Sequence, residues 1–203
     1  MTRGRHPAYT DRPMTDAVPT PQQILADAFA RLHAGQADGQ HAFRYATLAT
    51  ADALGRPDAR TIVLRHVDAA RRAVDFQTDR RSPKFAGLSH GAQATWLFYD
   101  RADWLQLRVQ TTVSLHSHDA VADAQWDAIP ADGRTPYRKA APGTPLDSPE
   151  PPPPDDSVDA RSNFVVVRGT IDSLEWLRKF DAGWRRVRFT WPGGTPSWQW
   201  LAP

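Results

Sequence analysis

Between Ala59 and Lys84 the chain reads ARTIVLRHVDAARRAVDFQTDRRSPK, a stretch whose residue types and spacing suit an anion. Arg60-Thr61-Ile62-Val63-Leu64-Arg65 is an alternating strand with a cation at each end. A strand rises about 3.3 Å per residue and turns successive side chains to opposite faces. Arg60, Ile62 and Leu64 therefore share one face, and Thr61, Val63 and Arg65 the other. A second strand, Ala73–Thr78, can return beside the first and bring Thr78 and Lys84 toward the Arg60 end. Two cations, hydroxyls and backbone N–H groups would converge there, as binding a phosphate monoester requires. The plainer alternative is a hairpin whose charged ends face water.

Two further groups have chemical potential. Gln106 lies mid-strand in Trp104-Leu105-Gln106-Leu107-Arg108-Val109, on one face with Arg108. An amide both donates and accepts, so it can match a ring edge that does the same, or simply face solvent. His116-Ser117-His118 has an i,i+2 spacing at a strand end and no companion cluster, which reads as surface rather than metal site. No dinucleotide fingerprint, P-loop or nucleophile elbow occurs.

Composition narrows the classes. The 203 residues are 40% hydrophobic, enough for a core of one domain. A formal charge of +2 lacks the footprint of a nucleic-acid binder. The absence of Cys excludes disulfides, thiolate nucleophiles and Cys-held metals. No apolar run approaches the ~20 residues of a membrane span, and the N-terminus lacks a hydrophobic signal core. A cytoplasmic protein is expected. Eight Trp and eight Phe can fill a core, line a flat-ring ligand or cover an interface.

The elements that must position these groups are legible in outline. Residues 1–18 read as a flexible tail, with Met14 as an alternative start, and 19–203 as the domain. Thr20-Pro21-Gln22-Gln23 opens a helix, with Ile24, Leu25, Ala28, Phe29 and Leu32 as its apolar stripe and Gly35 as its end. Strands are expected over Phe43–Thr50, Arg60–Arg65, Ala73–Thr78, Ala94–Tyr99 and Trp104–His116. A turn spans Val67–Arg72, a short helix Ser82–Leu88, another Asp119–Ile129, and a helical turn Pro136–Ala140. A Pro-rich loop runs over about 141–157. Strands at Asn163–Ile171, Leu174–Leu177, Val187–Trp191 and Trp198–Leu201 close the chain. Hairpin spacing argues for a mainly β protein with a few helices, a six-stranded antiparallel barrel rather than alternating βαβ units.

The strand Arg60–Arg65, the pair Gln77-Thr78 and the run Ser82-Pro83-Lys84 resemble the flavin-binding elements of the pyridoxamine 5′-phosphate oxidase-like family, the FMN-binding split barrels. Those proteins carry Arg-x-Val-Leu-Leu-Lys, Tyr-Thr and Ser-Arg-Lys there. The terminal Trp184-Arg185-Arg186-Val187-Arg188-Phe189, a Gly turn and Leu201-Ala202-Pro203 are similar to the family's last hairpin. The resemblance covers roughly residues 40–203. It is closest to a divergent branch with a terminal Arg-Arg-x-Arg-Phe and a Pro-rich loop.

That resemblance implies a split β-barrel that binds FMN as a homodimer, with the flavin at the subunit interface and a small-molecule substrate. It implies an FMN-dependent oxidoreductase. A flavin carrier without turnover, or the same barrel holding F420 or haem, are the alternatives. The implied cofactor residues are Arg60, Thr61, Ile62, Val63, Leu64, Arg65, Gln77, Thr78, Ser82, Lys84, Gln106, Trp176 and Arg186. Arg185 is the second choice for Arg186, and Leu177 for Trp176.

The departures from the family matter too. Its Ser-Arg-Lys has Pro83 here, and its strand Lys is Arg65. The Arg-x-His that binds the substrate of pyridoxamine phosphate oxidases is Ala182 and Trp184. The Tyr, Arg and Ser that bind the substrate phosphate are Trp126, Pro130 and Arg134. The resemblance therefore implies a different, less charged and aromatic substrate.

Overall fold

The computed structural model describes residues 17–52, 54–88 and 91–203. Almost all of the expected tail, Met14 included, lies outside the described residues. The first helix, Pro21–Ala37 (α1), starts as its sequence dictates. The Gln23 N–H donates to Thr20 Oγ1 at 3.3 Å, and the Thr20 N–H to Gln23 Oε1 at 2.9 Å. Two otherwise orphaned donors are satisfied reciprocally. Ile24, Ala28 and Leu32 are buried. Gly35 does not end the helix. It lets α1 press on Phe43, whose carbonyl oxygen would lie 2.5 Å from a Cβ at position 35.

Nine antiparallel strands follow among the described residues. They are Tyr45–Ala51 (β1), Pro57–Val63 (β2), His66–Asp68 (β3), Ala73–Asp79 (β4), Gln93–Asp100 (β5), Leu105–His116 (β6), Phe164–Phe180 (β7), Gly183–Thr190 (β8) and Ser197–Leu201 (β9). Their order is β2-β1-β5-β6-β7-β4-β3, with β8 on β7 and β9 on β8. The expected antiparallel β class is borne out. The sheet is not a closed barrel, and it has nine strands rather than six.

Four expectations change in detail. Residues 42–44 form a 3₁₀ turn ahead of β1. Leu64 and Arg65 lie beyond β2. Their N–H groups donate to Arg44 O and Asp75 O, both at 2.9 Å, and the second of these bridges the seam between β2 and β4. His66–Asp68 is a short strand rather than part of a turn. The segments 163–171 and 174–177 are one 17-residue strand. Its ladder with β6 shifts register between Gln110 and Thr111, where Gln110 pairs Ser173 and Thr111 pairs Ile171, so Asp172 bulges out. The length of β7 splits the sheet. Its first half pairs with β4 and its second half with β8.

Trp96, Trp176, Phe43, Phe76, Phe98 and Phe189 are fully buried among aliphatic side chains. A second cluster lies under the helix Ala120–Asp127 (α2), where Trp126, Tyr137 and Phe164 meet with ring centroids 5.2–5.7 Å apart. The Pro-rich loop is largely exposed. It is tied at its ends: Arg81 Nη2 donates to Lys139 O at 3.2 Å, and Arg138 Nη1 to Asp156 Oδ1 at 2.7 Å. A helix of four residues, Ala160–Asn163 (α3), returns the chain to β7. Among the described residues, no helix is long and apolar enough to cross a membrane.

Candidate functional site

Arg60 points to the buried side of β2. Its Nη1 donates to Thr50 Oγ1 at 2.8 Å and Leu48 O at 3.3 Å, and its Nη2 pairs with Asp58. Lys84, on the 3₁₀ turn Pro83–Gly87, lines the same cavity of about 240 Å³. Burial, then the nearby Arg60 charge, lower the proton affinity of Lys84, against the opposing pull of Asp79 and Asp58. Two cations thus share a cleft that is partly closed to water, an arrangement an anion would relieve. Thr78 and Ser82 are buried with their hydroxyl oxygens 3.4 Å apart. The Ser82 hydroxyl does not cap the turn that follows it. Thr61 is exposed on the opposite face of β2 from Arg60, and Ile62 and Leu64 are core.

Arg65 and Gln77 line a larger cavity of about 740 Å³ between the sheet and α2. Its back wall is a hydrogen-bonded chain. Gln77 Nε2 donates to Gln125 Oε1 at 3.2 Å, and Gln125 Nε2 donates to Asp75 Oδ2 at 2.7 Å. Asp75 is fully buried and receives Arg168 bidentately, at 2.9 and 2.8 Å. Hydrogen bonding to Asp75 raises the Arg168 pKa against burial. Burial pushes the Tyr137 phenol up to about 12, so it stays a neutral donor.

Gln106 and Arg186 lie on the face of the sheet turned away from the core. Gln106 is opposite Leu177, and Leu177 opposite Arg186. Beside them Glu175, 5% exposed, accepts from Arg108, Arg186 and Arg188. Trp176 is not with this group. It is 1% exposed and packs on Phe180 in the core. The next residue, Leu177, faces the same way as Gln106 and Arg186.

Along the sheet of one chain, Arg60 and Arg186 stand far apart. By the strand order, Arg186 lies five strand steps from Arg60, about 24 Å along the sheet at ~4.8 Å per step. The other route, across the seam to β4, meets β7 at residues 164–170, seven to thirteen residues before Leu177, the partner of Arg186.

Residues at the substrate positions are committed elsewhere. Arg134 donates to Ile129 O and Trp126 O, both at 3.0 Å, and stacks 4.8 Å over the Trp126 ring. It caps the end of α2. Trp184 packs edge-on to Trp104. His116 is held between Ser114 at 3.0 Å and the α2 cap Asp119 at 2.8 Å.

Sequence reasoning missed Asp58, Thr50, Arg44, the Asp75–Arg168 pair and Glu175. The period-two pattern carried a signal only for Asp58, which shares a face with Arg60. The rest depend on pairings between distant strands.

The fold and the two cavities define a split antiparallel barrel with cationic clefts. A family model described as "Pyridoxamine 5'-phosphate oxidase, FMN-binding domain" matches residues 24–117. A relative from Anaeromyxobacter dehalogenans (strain 2CP-C), named pyridoxine/pyridoxamine 5′-phosphate oxidase, is 36% identical over 118 residues, 58% of this chain. The chain spans only 57% of that relative. A relative of the same name from Hyphomonas neptunium (strain ATCC 15444) is 28% identical over 212 residues, covering 89% of this chain and 91% of its own.

Among solved structures, a pyridoxamine 5′-phosphate oxidase-related, FMN binding protein from Nostoc punctiforme superposes with a TM-score of 0.71 at 23% identity, covering 92% of this chain and 100% of that one. PhzG from Burkholderia lata, in complex with tetrahydrophenazine-1-carboxylic acid, gives 0.68 at 20% identity, with 98% of each chain covered. At these identities the structures speak for the fold. Over residues 24–117 the chain matches that FMN-binding domain model, and its curated relatives and its fold are similar to the pyridoxamine 5′-phosphate oxidase-like proteins that its strand and hairpin motifs resemble.

Proposed function

We propose that this protein is an FMN-dependent oxidoreductase that works as a homodimer on a small molecule other than pyridoxamine 5′-phosphate. The observation that carries the reading is the Arg60–Lys84 cleft, in which two cations share one partly buried space. Arg60 and Lys84 would neutralise the FMN phosphate, with Thr78 and Ser82 as hydroxyl donors, while the Thr61 hydroxyl is on the other face of β2. Arg60 is already half-compensated by Asp58, and Pro83 stands where the family has an Arg, so Lys84 bears more of the phosphate charge here. The backbone of residues 62–64, with Arg65 and Gln77, would flank the flavin ring. Bound flavin supplies hydride or electron transfer, and the protein supplies position and electrostatics.

A second copy is invoked because Arg186 lies five strand steps along the sheet from Arg60. Trp198 and Trp200, each 45% exposed on β9, supply apolar surface for a dimer interface. Glu175 fixes the direction of Arg186 at that face. The test is the visible spectrum and bound-ligand mass of the purified protein, followed by turnover with NAD(P)H and oxygen. Flavin absorption with turnover supports the reading. A Soret band or a deazaflavin mass overturns the cofactor, and bound flavin without turnover leaves a carrier.

The expectation of a different substrate is supported by the fate of the substrate positions. A phosphate dianion leaving water needs several cations and donors, or several kcal/mol are lost. Ala182, Trp184, Trp126 and Pro130 offer neither, and Arg134 is spent on α2 carbonyls.

A further inference from the structure

We infer that Arg44 and Arg65 form a carboxylate-binding subsite in the large cavity, and that the substrate is an apolar or aromatic ring bearing a carboxylate. This deepens the proposed function and rests on it for the identity of the ligand as substrate.

The charge balance of the cavity is the starting observation. Three guanidinium groups line it, Arg44, Arg65 and Arg168. Asp75 neutralises Arg168 through two hydrogen bonds. Among the described residues, neither Arg44 nor Arg65 has an ion pair. The two are close enough that the Arg44 charge, after burial, lowers the proton affinity of Arg65. Two like charges facing one cavity, Arg44 half-buried and Arg65 exposed at its mouth, are unfavourable until an anion joins them.

Arg44 is also fixed in place. Its Nη1 donates to Gln36 O at 2.8 Å, at the end of α1, and to Leu64 O at 3.2 Å. Nε and Nη2 have no protein partner among the described residues, which leaves a planar edge for a ligand. A guanidinium held by rigid elements is preorganised for bidentate recognition.

The lining favours a carboxylate over a phosphate. Besides its arginines the polar lining is Gln36, His66, Gln77, Gln125 and Tyr137, with no Ser, Thr or Lys, whereas the Arg60–Lys84 cleft includes Thr50 and Lys84. Two forks match a planar monoanion, while a tetrahedral dianion wants further donors around its third oxygen. The opposite wall is apolar: Val121, Ala124, Ala128, Ile129 and Pro130. Such a wall takes the ring, and the cations take its anionic end.

The test uses three probes with one ring body, 2-naphthoate, 2-naphthyl phosphate and 2-naphthalenemethanol, titrated calorimetrically into the flavin-loaded protein. Flavin content is read first from the visible spectrum, so failure of the cofactor reading is seen separately. Wild type should bind naphthoate at least about tenfold tighter than the alcohol, and tighter than the phosphate. Arg44→Gln should weaken naphthoate by about ten- to a hundredfold, the size of one charge-assisted bond, with alcohol binding and flavin content unchanged. Arg44→Lys should recover part of the loss. Because Arg44 also ties α1 to Leu64, the wild-type ranking of the three probes stands as a test of its own if the variants fail to fold. Equal binding of acid and alcohol, tighter binding of the phosphate, or an unchanged preference in Arg44→Gln overturns the assignment.

Discussion

Replacing Lys84 with Ala should separate phosphate recognition from folding. Lys84 is half-buried beside Arg60, and its ammonium has no hydrogen-bond partner among the described residues. In the free protein its removal relieves repulsion, so stability should hold or rise slightly. Against bound FMN it deletes a charge-assisted contact worth roughly 1.5–3 kcal/mol, about ten- to a hundredfold in Kd. The assay is flavin-fluorescence quenching with FMN and with riboflavin, which lacks the phosphate. Wild type should prefer FMN, and Lys84→Ala should shrink that preference while leaving riboflavin affinity unchanged.

The pH dependence has a definite sign. Burial and Arg60 lower the Lys84 pKa below 10.5 in the free protein, and a phosphate beside it would raise that pKa again. FMN affinity is therefore full below the free-protein pKa of Lys84 and falls as pH rises through it. In Lys84→Ala that alkaline decline should vanish. If the variant keeps both the FMN preference and the alkaline decline, the phosphate lies elsewhere.

Three other changes read different parts of the structure. Glu175→Gln should destabilise by about 2 kcal/mol in chemical denaturation, less than the 3–5 kcal/mol of a fully buried pair because its three arginines are partly solvated. Gly35→Ala should lose about 1–3 kcal/mol by the same measurement, since the new Cβ would meet the Phe43 carbonyl at 2.5 Å. In an oxidase assay with pyridoxamine 5′-phosphate, the flavin-loaded protein should show kcat/KM below about 10³ M⁻¹s⁻¹, a tenfold under the common floor of ~10⁴.

What could be read from the sequence were features decided by near neighbours. Thr20-Pro21-Gln23 caps α1 because the donors it satisfies lie within three residues. The period-two run from Arg60 set the faces of β2 correctly, and Asp119 opens α2. Long-range pairing was not legible. Asp172 joins two expected strands into β7 by bulging, and nothing local to 171–174 says so. Trp176 could be placed within one residue of the outward face, but a one-residue slip in a strand exchanges core for surface. Arg65 was read as strand, yet its N–H bonds Asp75 across the seam, and that bend turns its side chain toward Arg44. The Arg44–Arg65 pair and the contacts of Glu175 bring together residues 11 to 67 positions apart, which no spacing rule anticipates.

Native mass spectrometry of the purified protein with added FMN tests the central claim most directly. On the proposed reading the site is divided between Arg60–Lys84 on one copy and Arg186 on another, so flavin and dimer should appear together. The account predicts a dimer carrying two FMN as the dominant flavin-bound species. A monomer that retains FMN, or a dimer that takes up none, would contradict it.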